Sequence, residues 1–437
     1  FNTDWKFCKT SEIPSVLPEW DAVTLPHTWN AADGQDGGND YWRGTAMYAK
    51  AFSKPAHEGT VVLEFLGAAM TADVYLNGAH LTHHEGGYST FRVDITEHLQ
   101  EQNLLCVAVD NSNNDRVYPQ KADFTFYGGL YRNVNLILVP KKHFELCKDG
   151  TPGIKVTPVV NGKDAVVTVE TWQNGEGNVT VTVAGMEKTV PSENGHAVAE
   201  FVIENVHLWN ARKDPYLYTA KAELVAGEEV LDNVSARFGC RYYAIDPEKG
   251  FFLNGRHVKL MGTNRHQDYY MKGNALADEM HVRDLRLLED MGGNFLRISH
   301  YPQDPLVTEF CDRKGIVASV EIPIVNYITM SEAFRQNGVH MATEMVWQDY
   351  NSPSVMIWAY MNESLLHRPY EKNPAVKEAY FASICDIASA IESTIRTLDP
   401  RRYTMMAYHS SVGTYAESGL LEIPMIHGWN VYWGWYS

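Results

Sequence analysis

The stretch Val355-Met356-Ile357-Trp358-Ala359-Tyr360-Met361 is apolar at every position and ends in Asn362-Glu363. A strand with one wet face alternates. A run that is apolar on both faces belongs inside a parallel sheet whose two sides are covered. Parallel neighbours need long crossovers, usually helices, so this one run commits the chain around it to an α/β layout. In a barrel of such units the carboxyl ends of the strands form the floor of an active site. A carboxylate placed there loses water at a cost unless it is paired or put to use. Glu363 is therefore expected to be a general acid/base, holding a proton near neutral pH and passing it to a leaving group. A strand-end glutamate paired with a nearby arginine is the competing structural explanation.

The flanking sequence agrees with that layout. From about residue 245 the pattern alternates between strand and helix. Strands are predicted at 258–261, 294–298, 317–320, 355–361, 403–407 and 425–429, with helices over 278–291 and from about 375 to 397. Leu285 and Leu288 lie on the apolar face of the first helix. That makes six strands where a complete (β/α)8 TIM barrel has eight. The unit 245–437 is thus expected to be a barrel truncated after about six strands, and the chain a fragment of a longer protein. The preceding residues are short β-segments between Gly, Asn and Asp turns. Residues 1–143 are expected to form a jelly-roll, with Asn77-Gly78 as a hairpin turn. Residues 144–244, about a hundred with several alternating strands, suit an immunoglobulin-like β-sandwich.

Composition removes several classes of function. At 437 residues the chain exceeds one domain. Its net charge of −17 argues against nucleic acid as a partner, which needs a basic surface. No apolar run reaches membrane-spanning length. The first residue is Phe1 rather than Met, which is compatible with a leader already removed. The six cysteines are scattered without a CxxC or Cys/His cluster, which argues against a structural zinc site. Spacing allows a bridge such as Cys147–Cys240, but free buried thiols are the simpler expectation. The aromatic residues (11 Trp, 24 Tyr and 16 Phe) would suit stacking on sugar rings and sandwich cores equally well.

Four polar clusters fall at predicted strand ends on the same rim as Glu363. They are Asn264-Arg265-His266-Gln267-Asp268, Arg297-Ile298-Ser299-His300-Tyr301-Pro302, Glu321-Ile322-Pro323, and the segment from His427 to Tyr436. One polar strand end is ordinary; four on one rim make a pocket. Each residue also has a structural explanation. His266 and His300 could be satisfied interior histidines, Arg297 could neutralise a buried acid, Glu321 could be its partner, and Tyr432 and Tyr436 could be core or rim aromatics.

Taken together these motifs resemble glycoside hydrolase family 2, the family of β-galactosidases, β-glucuronidases and β-mannosidases. The resemblance rests on Leu25-Pro26-His27-Thr28-Trp29-Asn30, Val74-Tyr75-Leu76-Asn77-Gly78, Tyr127-Gly128-Gly129-Leu130-Tyr131-Arg132, Leu253-Asn254-Gly255-Arg256 followed by Gly262-Thr263-Asn264-Arg265-His266, and Asn351-Ser352-Pro353-Ser354-Val355 leading to Asn362-Glu363. It implies hydrolysis of a β-glycosidic bond with retention by two carboxylates. It implies that Glu363 is the acid/base and that Asn362 contacts the sugar 2-hydroxyl. His266, His300 and Tyr432 would touch the substrate, and Arg297 with Tyr432 would support the nucleophile. Asp123 would be an acid that the first domain projects into the barrel mouth.

Departures from the family pattern shape the remaining expectations. The nucleophilic Glu belongs at the end of a seventh strand, so it is expected beyond residue 437 and the chain as given is expected to be inactive. Some family members hold magnesium after the third strand. The segment matched to that position, Ile324-Val325-Asn326-Tyr327, has no Glu or His, so no metal and no cofactor is predicted. Ser352 stands where the family usually has His, with little consequence expected. Asn264-Arg265-His266 favours β-D-galactosides as substrate, while the closing Asn430-x-Tyr432-x-Gly434-Trp435-Tyr436 keeps a β-glucuronidase open. A non-catalytic carbohydrate-binding protein is the alternative from another class. The resemblance leaves homo-oligomerisation open and suggests the bacterial cytoplasm or periplasm.

Overall fold

The computed structural model describes residues 1–33 and 41–434. Trp435 and Tyr436 of the closing motif lie outside the described residues.

The first domain is an antiparallel sandwich. One sheet orders Asp21–Val23, Trp5–Cys8, Thr45–Ser53, Gln102–Asp110, Thr71–Leu76 and Ala79–Glu85; the other orders Phe91–Asp94, Thr60–Phe65 and Val134–Val139. Alternation drives the pairing: along Thr71–Leu76 every second residue is buried. Asn77 and Gly78 both have positive φ, 52° and 83°, which the tight hairpin turn requires. The second domain is a seven-stranded sandwich with Ile154–Asn161, Asp164–Trp172 and His196–Ile203 facing Met186–Pro191, Asn178–Val183, Tyr218–Ala226 and Glu229–Phe238. Its core is built largely of inward valines and alanines, Val167, Val169, Val181 and Ala220 among them, together with Phe201.

The third domain opens with a small antiparallel sheet, Tyr243–Asp246, Gly250–Leu253 and Arg256–His257. Six parallel strands follow in sequence order: Gly262–Arg265, Phe295–Ile298, Val317–Glu321, Val355–Asn362, Tyr403–Tyr408 and Ile426–Trp429. Every residue of the third and fourth strands is buried, whereas Gly262, Thr263, Asn264, His427 and Trp429 on the outer strands are exposed. The helices Asp278–Asp290, Pro305–Lys314, Glu332–Asp349 and Lys377–Leu398 cover the outside. Two of these escaped the sequence reading, although their caps are plain. Asp304 accepts from the Leu306 amide at 3.0 Å with Pro305 in the first turn, and Ser331 accepts from Phe334 at 3.2 Å.

One predicted strand is corrected. Residues 258–261 do not form the first barrel strand, which begins at Gly262. Asn294 captures the backbone there: its side chain accepts from the Met261 amide at 2.7 Å and donates to the Lys259 carbonyl at 2.9 Å. The ladder then starts where the chains approach closest, since a Cβ at residue 262 would lie 1.6 Å from the Phe295 carbonyl oxygen. All six cysteines are free, so the Cys147–Cys240 bridge does not form.

Candidate active site

Glu363 follows the fourth barrel strand directly. Its backbone turns into the left-handed region (φ 50°), uncommon for a residue with a Cβ, and its amide is held by the Ala407 carbonyl at 2.8 Å. That turn swings the carboxylate toward the segment after the sixth strand. Oε1 accepts from Asn430 Nδ2 at 2.8 Å and from the Tyr432 hydroxyl at 2.7 Å. Glu363 is buried and Tyr432 is 41% exposed, so the pair spans the boundary between the floor and solvent.

Asn362, the last strand residue, is buried beside it. Its Oδ1 accepts from Asn430 Nδ2 and from Arg297 Nη2, both at 3.0 Å. Arg297 in the second strand forks onto Glu321 at the end of the third, with Nε to Oε2 at 3.0 Å and Nη2 to Oε1 at 3.2 Å. His300 Nδ1 closes on the same Oε1. Burial opposes ionisation of Glu321, but Arg297 and His300 outweigh it and hold the carboxyl down to about 2. The structural explanations for Arg297 and Glu321 are therefore true, and the pair still reaches the candidate acid through Asn362.

The histidines continue the rim. The His266 and His300 rings are 5.5 Å apart, and His266 Nδ1 lies 3.1 Å from the Tyr301 hydroxyl. Burial, and secondarily His300, pushes the His266 pKa down, so the ring is neutral at physiological pH. Phe124 from the first domain packs against both, at 4.9 and 6.0 Å. The loop that carries it is fastened by the Tyr127 hydroxyl to Asp268 at 3.1 Å and by Arg132 to Gln267 at 3.0 Å and the Pro302 carbonyl at 2.8 Å. Asp123, exposed one residue earlier, acts on His266 through its charge. Two separated motifs make this loop possible. Thr28 donates to the Gly128 carbonyl at 2.7 Å and Asn30 accepts from its amide at 2.9 Å, and a Cβ at residue 128 would collide with Trp29 at 1.9 Å.

The structure thus joins Glu363, Asn362, Arg297, His300, His266 and Tyr432 in one chain of contacts, with Asp123 at its margin. His427 stands apart from it, 3.4 Å from the Tyr408 hydroxyl. Sequence reasoning missed Asn430, which touches Arg297, Asn362 and Glu363 at once. Its signal was its place directly after the sixth strand, in a cluster where Tyr432 drew attention. It also missed buried His409, which feels the Glu363 charge and meets the Tyr415 hydroxyl at 2.8 Å and Arg368 at 3.3 Å.

A buried carboxylate at a strand end, held by an amide and a phenol beside an anchored asparagine, can exchange a proton with a group bound above it. Known proteins share the whole framework. Residues 9–140 match the sugar binding domain of the glycosyl hydrolases of family 2, residues 144–241 the domain described as glycosyl hydrolases family 2, and residues 245–423 the TIM barrel domain of that family. A β-glucuronidase of Bacteroides fragilis is 32% identical over all of this chain and 64% of its own length. A β-galactosidase of Thermoanaerobacter pseudethanolicus is 30% identical over 84% of this chain and 52% of its own. The solved structure of Bacteroides uniformis β-glucuronidase 2, covalently bound to cyclophellitol-6-carboxylate aziridine, superposes with a TM-score of 0.93 at 33% identity, over all of this chain and 55% of that one. The chain therefore spans between half and two thirds of the length of these relatives. With three successive domain matches and the same order of elements, the chain belongs to glycoside hydrolase family 2.

Proposed function

We propose that this chain supplies the acid/base half of a retaining β-glycosidase, with Glu363 protonating the departing oxygen and later activating water. The observation that carries the reading is the Glu363 carboxylate, buried at the fourth strand end and oriented by Asn430 and Tyr432. Asn362, gripped by Arg297, is the donor for a sugar hydroxyl, and His266, His300 and Asp123 line the remaining rim. Glu321 has both oxygens engaged by Arg297 and His300, which suits a scaffold that holds Asn362 in place. A retaining mechanism requires a second carboxylate about 5–5.5 Å from the acid/base, and the family pattern would supply it from a seventh barrel strand.

The sugar is narrowed by the relatives' names. β-Galactosides were the sequence-based expectation. The B. fragilis relative and the B. uniformis structure, matched over the full chain, are both called β-glucuronidases, which moves β-glucuronides to first place and β-galactosides to second. A panel of nitrophenyl β-glucuronide, galactoside, mannoside and glucoside tests this. In the full-length protein, Glu363→Ala should cost about 10²–10⁴-fold on substrates with poor leaving groups and far less on nitrophenyl glycosides, which leave without a proton. Equal losses on both would remove Glu363 from the acid role. Saturable sugar binding without turnover in the protein with a complete barrel would mark a carbohydrate-binding module instead.

A further inference from the structure

Where the barrel meets the first domain, three side chains of metal-ligand type converge outside the site already described. His84 lies near the end of the strand Ala79–Glu85, while His340 and Glu344 sit one turn apart on the helix Glu332–Asp349. His84 Nε2 is 2.7 Å and His340 Nε2 3.2 Å from the same Glu344 oxygen, Oε1, and the ligand atoms of all three lie within 4.8 Å of one another. Neighbouring contacts pin the geometry. On the same helix Asn337 donates to the Glu85 carbonyl at 3.2 Å and Gln348 to the Thr90 carbonyl at 2.9 Å.

The cluster is poorly matched as an ion pair. Two imidazole nitrogens press on one oxygen, while Glu344 Oε2 is buried with no hydrogen-bond partner, in a residue only 2% exposed. An unmatched buried acceptor costs about 1–3 kcal/mol. Two imidazole nitrogens and one carboxylate are instead the donor set of a zinc-class ion with a fourth position left for water. Bonds of about 2.0–2.1 Å in a tetrahedron leave ligand atoms roughly 3.3 Å apart; His340 Nε2 already stands 3.2 Å from Oε1, and His84 Nε2, at 2.7 Å, would have to move outward by about half an ångström. Asp149, whose charge reaches His340 and Glu344, adds anionic character beside the cluster.

We propose that His84, His340 and Glu344 bind one zinc-class divalent cation that clips the first domain to the barrel. The absence of a Cys/His cluster argues in the sequence against zinc, but this donor set uses no cysteine and draws His84 from another domain, 260 positions from Glu344. The test is Co²⁺ titration of the untagged full chain, followed by ligand-field absorption, with bound metal counted after dialysis. One cation per chain is expected, with a metal-dependent rise in Tm that a chelator reverses. His340→Ala should weaken uptake by at least about tenfold and abolish that rise. His340 has a 44% exposed side chain, so the metal-free Tm should hold. Should that variant fail to fold, His340→Gln takes its place. No uptake by the wild type at micromolar free Co²⁺, or equal uptake by wild type and variant, overturns the proposal.

Discussion

Two buried glutamates of this barrel, Glu321 and Glu344, have the same kind of surroundings and different fates. Each has two basic partners, and each carboxyl is held down to about 2 because those partners outweigh the opposing effect of burial. Glu321 meets a guanidinium fork on both oxygens, with His300 added. Glu344 takes both imidazoles on one oxygen and leaves the other empty. The first arrangement is complete and rigid, which suits a scaffold that orients Asn362 beside Glu363. The second is unfinished, which suits a site waiting for a ligand. Equal electrostatic depth therefore does not mean equal role; the distribution of donors over the two oxygens separates them.

The comparison breaks most sharply at Arg297. Arg297→Ala strips Glu321 of its fork inside the protein and should cost about 3–5 kcal/mol in urea unfolding at neutral pH, with the loss shrinking as acid protonates the stranded carboxylate. A loss below about 1 kcal/mol would mean that Glu321 is better solvated than its burial suggests.

Acid titration tests both centres together. A carboxyl whose folded pKa lies below its unfolded value stabilises the fold above the unfolded pKa and loses that contribution as pH falls through the folded one. Stability should therefore decline between about pH 5 and pH 2, with each glutamate contributing on the order of 3 kcal/mol. Glu344→Gln should flatten its share of that slope, measured as urea midpoint against pH, and leave the share of Glu321 intact. An unchanged slope would remove Glu344 from the comparison.

Smaller effects sharpen it. In the protein with a complete barrel, Tyr432→Phe removes one donor to Glu363 and should lower kcat/KM several-fold, the equivalent of about 0.5–1.5 kcal/mol. His340 is pushed up chiefly by its hydrogen bond to Glu344. Its contribution is thus full below the unfolded histidine value and fades as pH rises through the folded one. Because the side chain is half-exposed, His340→Ala should cost less than about 1 kcal/mol without metal at pH 6 and less still at pH 8.

Much of the architecture is legible in the sequence. Val355 to Met361 is buried at every position, as an all-apolar run requires. Strands in both sandwiches alternate as their residues do. Errors came where side chains took over backbone hydrogen bonds, as Asn294 does at 258–261, or where caps rather than apolar periodicity mark a helix, as at Asp304 and Ser331. In the candidate site, the residue types at the strand ends pointed to Glu363, Asn362, Arg297, His266 and His300. The hub Asn430 did not stand out, because an asparagine after a strand is ordinary until three partners are seen around it.

The sequence by itself determined the order of domains, the parallel sheet and the rim on which Glu363 sits, because hydrophobic periodicity and turn chemistry act over a few residues at a time. Only the tertiary structure decided which polar groups share an oxygen. Arg297 with Glu321, Tyr432 with Glu363, and His84 with Glu344 meet across 24, 69 and 260 positions. Contacts of that reach depend on how whole elements pack, and no local pattern of residues encodes them.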